Sequence, residues 1–225
     1  MRTSICICAL LLSLSLVPVC SANLIVANNA GSTIATAEDL TGLGLFPTEI
    51  TGTLSGTNPN DVSIFKIVNR EPLDFSAFTR LPGAFGIPDT VLSLFNSSGV
   101  GVLMNDDISG SNTLSCLPSA GVSNPCPTSG AALPAGIYFL AISRSFNYPL
   151  DTLSNEIFNP VSSTDVVGPS STDPLGGWDG NAAANPDTDL VNYDIVLNGT
   201  VPEPATWLLL MSAGLGIGIL RRRRS

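Results

Sequence analysis

The sequence predicts an all-β protein: a single jelly-roll-like β-sandwich set between an N-terminal signal peptide and a single C-terminal transmembrane helix. Three observations carry that expectation. The apolar runs between residues 23 and 200 are short and rich in Val, Ile, Leu and Phe; Gly, Pro, Asn and Ser separate them; and no long stretch repeats with a helical period. Chains of many short strands with turn signals bury their apolar faces by packing sheet on sheet. The 225-residue chain leaves enough length in residues 23–200 for one domain with a real core.

Taken in order, Met1-Arg2 precedes an apolar run from Ile5 to Val19, and Cys20-Ser21-Ala22 closes it with small residues. One positive charge, an apolar stretch and a small-residue site make residues 1–22 a secretory signal peptide, cleaved after Ala22. A lipoprotein anchor at Cys20 competes with this reading, but Pro18-Val19 is a poor lead-in for that cleavage.

A short helical turn is expected near Ala35 to Leu40. Strands are expected over Val62 to Val68, Thr90 to Phe95, Val100 to Met104, Ile137 to Ile142 and Leu190 to Leu197. The last alternates, with Val191, Tyr193, Ile195 and Leu197 on one face and Asn192, Asp194 and Asn198 on the other. Asn96-Ser97-Ser98-Gly99 joins two apolar runs as a hairpin turn. Residues 151–189 lack apolar periodicity and read as a long insertion or ordered loop.

Composition excludes whole classes of function. Of 18 acidic and nine basic side chains, residues 23–200 hold 17 acids against four bases (Lys66, Arg70, Arg80, Arg144), a net charge of about −13. Nothing there could neutralise phosphates, so nucleic acid is not a partner. The chain has no histidine, which removes Ser-His-Asp and Cys-His nucleophiles and every His-ligated metal site. The chain is expected not to be an enzyme.

Cys116 and Cys126 remain after signal removal, and in an oxidising exported compartment they are expected to pair, with two free thiols as the alternative. Closing such a loop stabilises by roughly 3 kcal/mol in the chain-entropy model. Asp106 and Asp107 follow one strand and Asp89 starts the preceding one, so all three can converge at one end of the sandwich. Carboxylates with loop carbonyls suit Ca²⁺, which takes six to eight oxygens. The alternative is that these aspartates cap turns through nearby backbone N–H groups. Asp187 and Asp189, beside Asp179 and Asn181, form a second acidic loop open to the same two readings. As a glycosidase pair Asp106 and Asp107 fit badly, because successive strand residues point apart. Lys66 is expected to face solvent. Trp178 either stacks on a sugar ring or, more simply, anchors the long loop to the sandwich.

Val201-Pro202-Glu203-Pro204-Ala205-Thr206 leads into an apolar stretch through Leu220, then Arg221-Arg222-Arg223-Arg224-Ser225. Residues 205–220 span about 24 Å as a helix, and flanking arginines can snorkel to cover a ~30 Å hydrocarbon core. The Arg cluster 221–224 stays cytoplasmic, which places the domain outside. Pro202-Glu203-Pro204, a short helix and an Arg cluster, in that order, resemble the PEP-CTERM sorting signal of Gram-negative bacteria. The resemblance implies an exosortase-type processing enzyme as partner. It also implies passage through the inner membrane to the cell surface or extracellular matrix.

A second resemblance runs through the domain. Ala35 to Leu40, Asp61 to Ile67, Pro88 to Phe95, Ser98-Gly99, Asn105-Asp106-Asp107, Leu133 to Ile142 and Tyr193-Asp194-Ile195, in that order, resemble the bacterial pre-peptidase C-terminal domain. The Cys116–Cys126 loop and the 151–189 segment depart from the family pattern. The resemblance implies a small β-sandwich of secreted and surface proteins, and no peptidase is attached. The expected function is a non-catalytic surface protein, an adhesin or component of the extracellular polysaccharide matrix. The alternative is an accessory module assisting a separately encoded secreted hydrolase.

Overall fold

The computed structural model describes residues 23–27, 29–42, 46–55, 57–81, 89–118, 126, 132–184 and 190–201. The expected signal peptide (1–22), the sorting motif at Pro202, Glu203 and Pro204, the helix 205–220 and the Arg cluster lie outside the described residues. Among the described residues no helix is long and apolar enough to cross a membrane.

Twelve strands are described: β1 (Asn23–Val26), β2 (Glu38–Asp39), β3 (Pro47–Ser55), β4 (Ser63–Asn69), β5 (Ser76–Arg80), β6 (Thr90–Asn96), β7 (Gly101–Asn105), β8 (Cys116–Leu117), β9 (Gly136–Arg144), β10 (Pro149–Asp151), β11 (Leu175–Trp178) and β12 (Leu190–Asn198). Sheet one has the order β1-β3-β12-β5-β8 and sheet two the order β2-β4-β9-β6-β7. Both are mixed: β1 runs parallel to β3 and β2 parallel to β4, while the remaining pairs are antiparallel. Residues Ala22–Val201 form one compact unit.

The sheets share one apolar core, built by alternation along each strand. Ile50 and Leu54 of β3, Ala77 of β5 and Tyr193, Ile195 and Leu197 of β12 meet Phe65 and Ile67 of β4, Leu92 and Leu94 of β6, and Leu140 and Ile142 of β9. The ring of Tyr193 meets Phe65 edge-on, with centroids 6.4 Å apart. This two-layer arrangement is the expected all-β sandwich.

Sheet two is buried on its other face as well. Ile64, Val91, Phe95, Phe139 and Ala141 pack beneath Ile157 and Phe158, with Tyr148, Val167, Leu175 and Trp178 around them. A strand covered on both faces reads as a continuous apolar run, and that is how Thr90 to Phe95 and Ile137 to Ile142 appear in the sequence. The cover is the segment expected to be a long insertion or loop. It carries β11, which pairs with β10, and bridges from Val167 to Met104 in β7 and from Pro174 to Val100, just before β7, fasten it to that edge. The seam is close: a Cβ on Gly101 would lie 2.5 Å from Ile157 Cγ2 and 2.9 Å from Phe158 Cζ. Glycine is what fits there.

Two local expectations change. The helical turn expected near Ala35 to Leu40 is a 3₁₀ turn over Ile34–Thr36, capped by Thr33, and Glu38–Asp39 pairs with β4 as an edge strand. Lys66 does not simply face solvent, because its Nζ lies 2.8 Å from Asp39 Oδ2 across that edge. The ammonium, with help from the Thr41 hydroxyl and N–H, pulls the Asp39 carboxyl down to about 2. The hairpin turn falls where expected. Asn96 Oδ1 accepts from the N–H groups of Ser98 and Val100, and Gly99 takes φ +79°, a left-handed conformation that glycine adopts without steric cost.

Candidate functional site: an acidic cleft at one end of sheet two

Asp89 immediately precedes β6, and Asp106 and Asp107 follow β7, so the β6–β7 pairing brings all three to one end of sheet two. One carboxylate oxygen from each lies within 4.8 Å of the other two. The expectation that Asp106 and Asp107 point apart fails because β7 ends at Asn105. Strand alternation no longer governs the two residues after it.

Buried hydrogen bonds fix this corner. Asn105 is 1% exposed. Its Nδ2 donates to the carbonyls of Asp107 (3.0 Å) and Asp165 (3.2 Å), and its Oδ1 accepts the Cys116 N–H at 2.8 Å. The Asp107 N–H donates to the Ser163 carbonyl at 2.8 Å, which brings the cover against the cleft. On the other side, the Ser145 N–H donates to the Asp89 carbonyl, and the chain turns through Phe146 at φ +67°. That turn leaves Phe146 about half exposed on the cleft wall and delivers Tyr148 to Asp106.

Asp106 is 3% exposed. Its Oδ2 accepts from the Tyr148 hydroxyl at 2.7 Å and the Ser145 hydroxyl at 3.4 Å, while its Oδ1 has no hydrogen-bond partner. Asp89 Oδ1 is also buried without one. Burial pushes the Asp106 carboxyl up to about 6; the Tyr148 hydroxyl opposes the shift, and the charges of Asp107 and Asp89 add to it. The Asp89 carboxyl is raised by burial and by Asp107, against the pull of Ser145 and Arg144. The Tyr148 phenol is raised by burial and by the Asp106 carboxylate that it bonds. Around these groups lies a cleft of about 490 Å³, walled on the cover side by Glu156 and residues 159–163.

The sequence brought forward the three aspartates but not Asn105 as their anchor, nor Tyr148, Ser145, Phe146 or Glu156. Those four stand 39–50 residues from Asp106, and no spacing ties them to it. The other expected residues fall as follows. Cys116 and Cys126 are joined in a disulfide with Cα atoms 5.4 Å apart. In the second acidic loop, Asp187 and Asp189 lie outside the described residues. Asp179 accepts from the N–H groups of Tyr148 and Asn181 and from the Asn181 side chain, as turn-capping aspartates do. Trp178 donates its indole N–H to the Ser32 carbonyl at 2.9 Å and packs on the outer face of sheet two. It anchors the cover.

No curated protein matches this chain. The family model for the PEP-CTERM protein-sorting motif matches residues 200–224, beginning two residues past the end of β12. The motif implies export, anchoring in a membrane, processing by an exosortase and then residence at the surface. The chain thus carries, directly after its sandwich, the sorting motif of an exosortase-processed surface protein.

Proposed function

We propose that the protein is a non-catalytic component of an extracellular polysaccharide matrix, or an adhesin within it, on a Gram-negative cell. The observation that carries this reading is the sorting motif at 200–224 joined to a single compact sandwich. What the exosortase delivers is that domain. A signal peptide at 1–22, a transmembrane helix at 205–220 and a sandwich of the pre-peptidase C-terminal type belong to the same reading. The ordered segments from Asp61 to Ile195 support the last of these. Absence of histidine supports a non-catalytic role. So does the burial of Asp106, which at 3% exposure and with Oδ2 engaged is poorly placed to protonate a glycosidic oxygen.

The experiment is a matrix pull-down paired with a sorting variant. Exported wild-type protein should sediment with isolated matrix polysaccharide. The Pro202→Ala/Glu203→Ala/Pro204→Ala chain should stay unprocessed in the membrane fraction and be missing from the matrix. Wild-type protein that ignores the polysaccharide but co-purifies with a secreted hydrolase would replace this reading with that of an accessory module. Normal processing and surface delivery of the triple variant would remove the sorting step from it.

A further inference from the structure

We infer that the cleft formed by Asp89, Asp106 and Asp107 is a binding site for a hard divalent cation, Ca²⁺ foremost. Calcium sits 2.3–2.6 Å from its oxygen ligands, so oxygens on opposite sides of one ion are about 5 Å apart. The three carboxylate oxygens, all within 4.8 Å of one another, are thus spaced as ligands of a single ion are.

Proximity of acids is common without a metal. Here the decisive observation is separate: Asp106 is 3% exposed and its Oδ1 has no hydrogen-bond partner, and Asp89 Oδ1 is buried in the same condition. A buried carboxylate oxygen left unpaired is costly, and two beside one cleft call for a common partner. Aspartates that cap turns in this protein look different. Asp151 Oδ1 takes the N–H groups of Leu153 and Asn155, and Asp39 takes that of Thr41. Asp106 instead receives two hydroxyls on Oδ2 and nothing on Oδ1. Turn capping does not account for it.

The rest of the coordination shell is at hand. Glu156 and the serines at 162 and 163 line the opposite wall, and about 490 Å³ leaves room for waters. A loop-built, roomy set of oxygens suits Ca²⁺ better than Mg²⁺, which demands a tight octahedron. Because the carboxylates belong to sheet two and the opposite wall to the cover, a bound ion clamps one to the other. This does not depend on which matrix ligand the protein takes.

The test is titration of CaCl₂ into the chelator-stripped exported protein by calorimetry. A single saturable site is expected, with Kd in the range of about 10⁻⁴–10⁻³ M found for extracellular modules. Tb³⁺ should occupy the same site and luminesce through Tyr148, whose hydroxyl bonds Asp106, and Ca²⁺ should quench that signal. Asp107→Asn and Asp89→Asn should each weaken binding at least tenfold, while Asp74→Asn, on an exposed turn away from the cleft, should not. Should either cleft variant fail to fold by circular dichroism, the other and the wild-type melting shift decide. In wild type, Ca²⁺ should raise the melting temperature above the value in NaCl of matched ionic strength. Absence of saturable heat, a calcium effect no larger than that of NaCl, or undiminished binding by a folded cleft variant overturns the inference.

Discussion

Asn105 closes three segments with one side chain. Its carboxamide accepts the Cys116 N–H and donates to two carbonyls, one of them 60 residues away at Asp165. Alanine would leave the buried Cys116 N–H unpaired, a loss of about 2–3 kcal/mol. For a domain of this size each kcal/mol shifts the melting temperature by roughly 2–4 °C. Asn105→Ala should therefore melt roughly 5–10 °C lower than wild type in a calorimetric scan, and a drop within 1–2 °C would show that water replaces the amide. The sequence exposed Asn105-Asp106-Asp107 as a polar run after an apolar strand, which located the corner. It could not show that Asn105 holds the corner and that Tyr148 braces it, because a side chain's hydrogen bonds across 40 to 60 residues follow from the fold and leave no spacing behind. Nor could it show that the two aspartates turn the same way, since the last residue of β7 is fixed by pairing with β6 at Leu92.

At the scale of elements, legibility follows burial. The strands found from sequence, β4, β6, β7, β9 and β12, have long apolar runs or clean alternation. β3 was not legible: in Pro47–Ser55 the only large core residues are Ile50 and Leu54, with Thr and Gly between them. β5 offers Ala77 alone to the shared core, and β2 and β8 have two residues each. Edge strands of that length depend on pairing partners, which no local pattern encodes. The cover is the ordered loop that the sequence led one to expect, but its packing on sheet two left no local pattern, for a related reason. Ile157, Phe158, Val167, Leu175 and Trp178 are spaced irregularly, because a layer of loops and one ribbon meets sheet two at scattered points. The seam at Gly101 tests whether this layer is held by packing. Gly101→Ala puts a methyl where Ile157 and Phe158 now sit, an overpacking that costs typically 1–3 kcal/mol. Amide exchange should quicken across residues 148–178 while β4 and β9 keep their protection. Uniform loss of protection across the domain would mean that the cover and the sandwich unfold as one unit.

For the whole molecule, charge is the property that composition fixes most directly. Residues 23–200 carry 17 acids against four bases, and all four cations are committed. Lys66 pairs with Asp39, and Arg80 with Glu49 and Asp194. Arg70 lies over the ring of Phe46 at 5.1 Å, and Arg144 donates to the carbonyls of Ser55 and Ala182. Of the 17 carboxylates, Asp39, Glu49 and Asp194 pair with these cations through salt bridges. Others, such as Asp151 and Asp179, accept hydrogen bonds from neutral N–H groups, which leave their charge in place. Such a domain repels itself when compact, and it gains more from screening than it loses in its few surface pairs, each worth about 0–1 kcal/mol. The Debye length falls from about 30 Å at 0.01 M salt to about 10 Å at 0.1 M. Raising NaCl from about 0.01 to 0.3 M should therefore raise the melting temperature of the chelator-treated protein by several degrees, most of it below about 0.1 M. Sucrose at equal osmolality is the control, because it favours the compact state by exclusion and does not screen. A melting temperature that stays flat or falls with NaCl would mean that the committed pairs outweigh the repulsion, and that the net charge is spread too thinly to matter. A rise that saturates early identifies the repulsion as long-ranged, and sets the baseline above which any calcium effect at the cleft must be read.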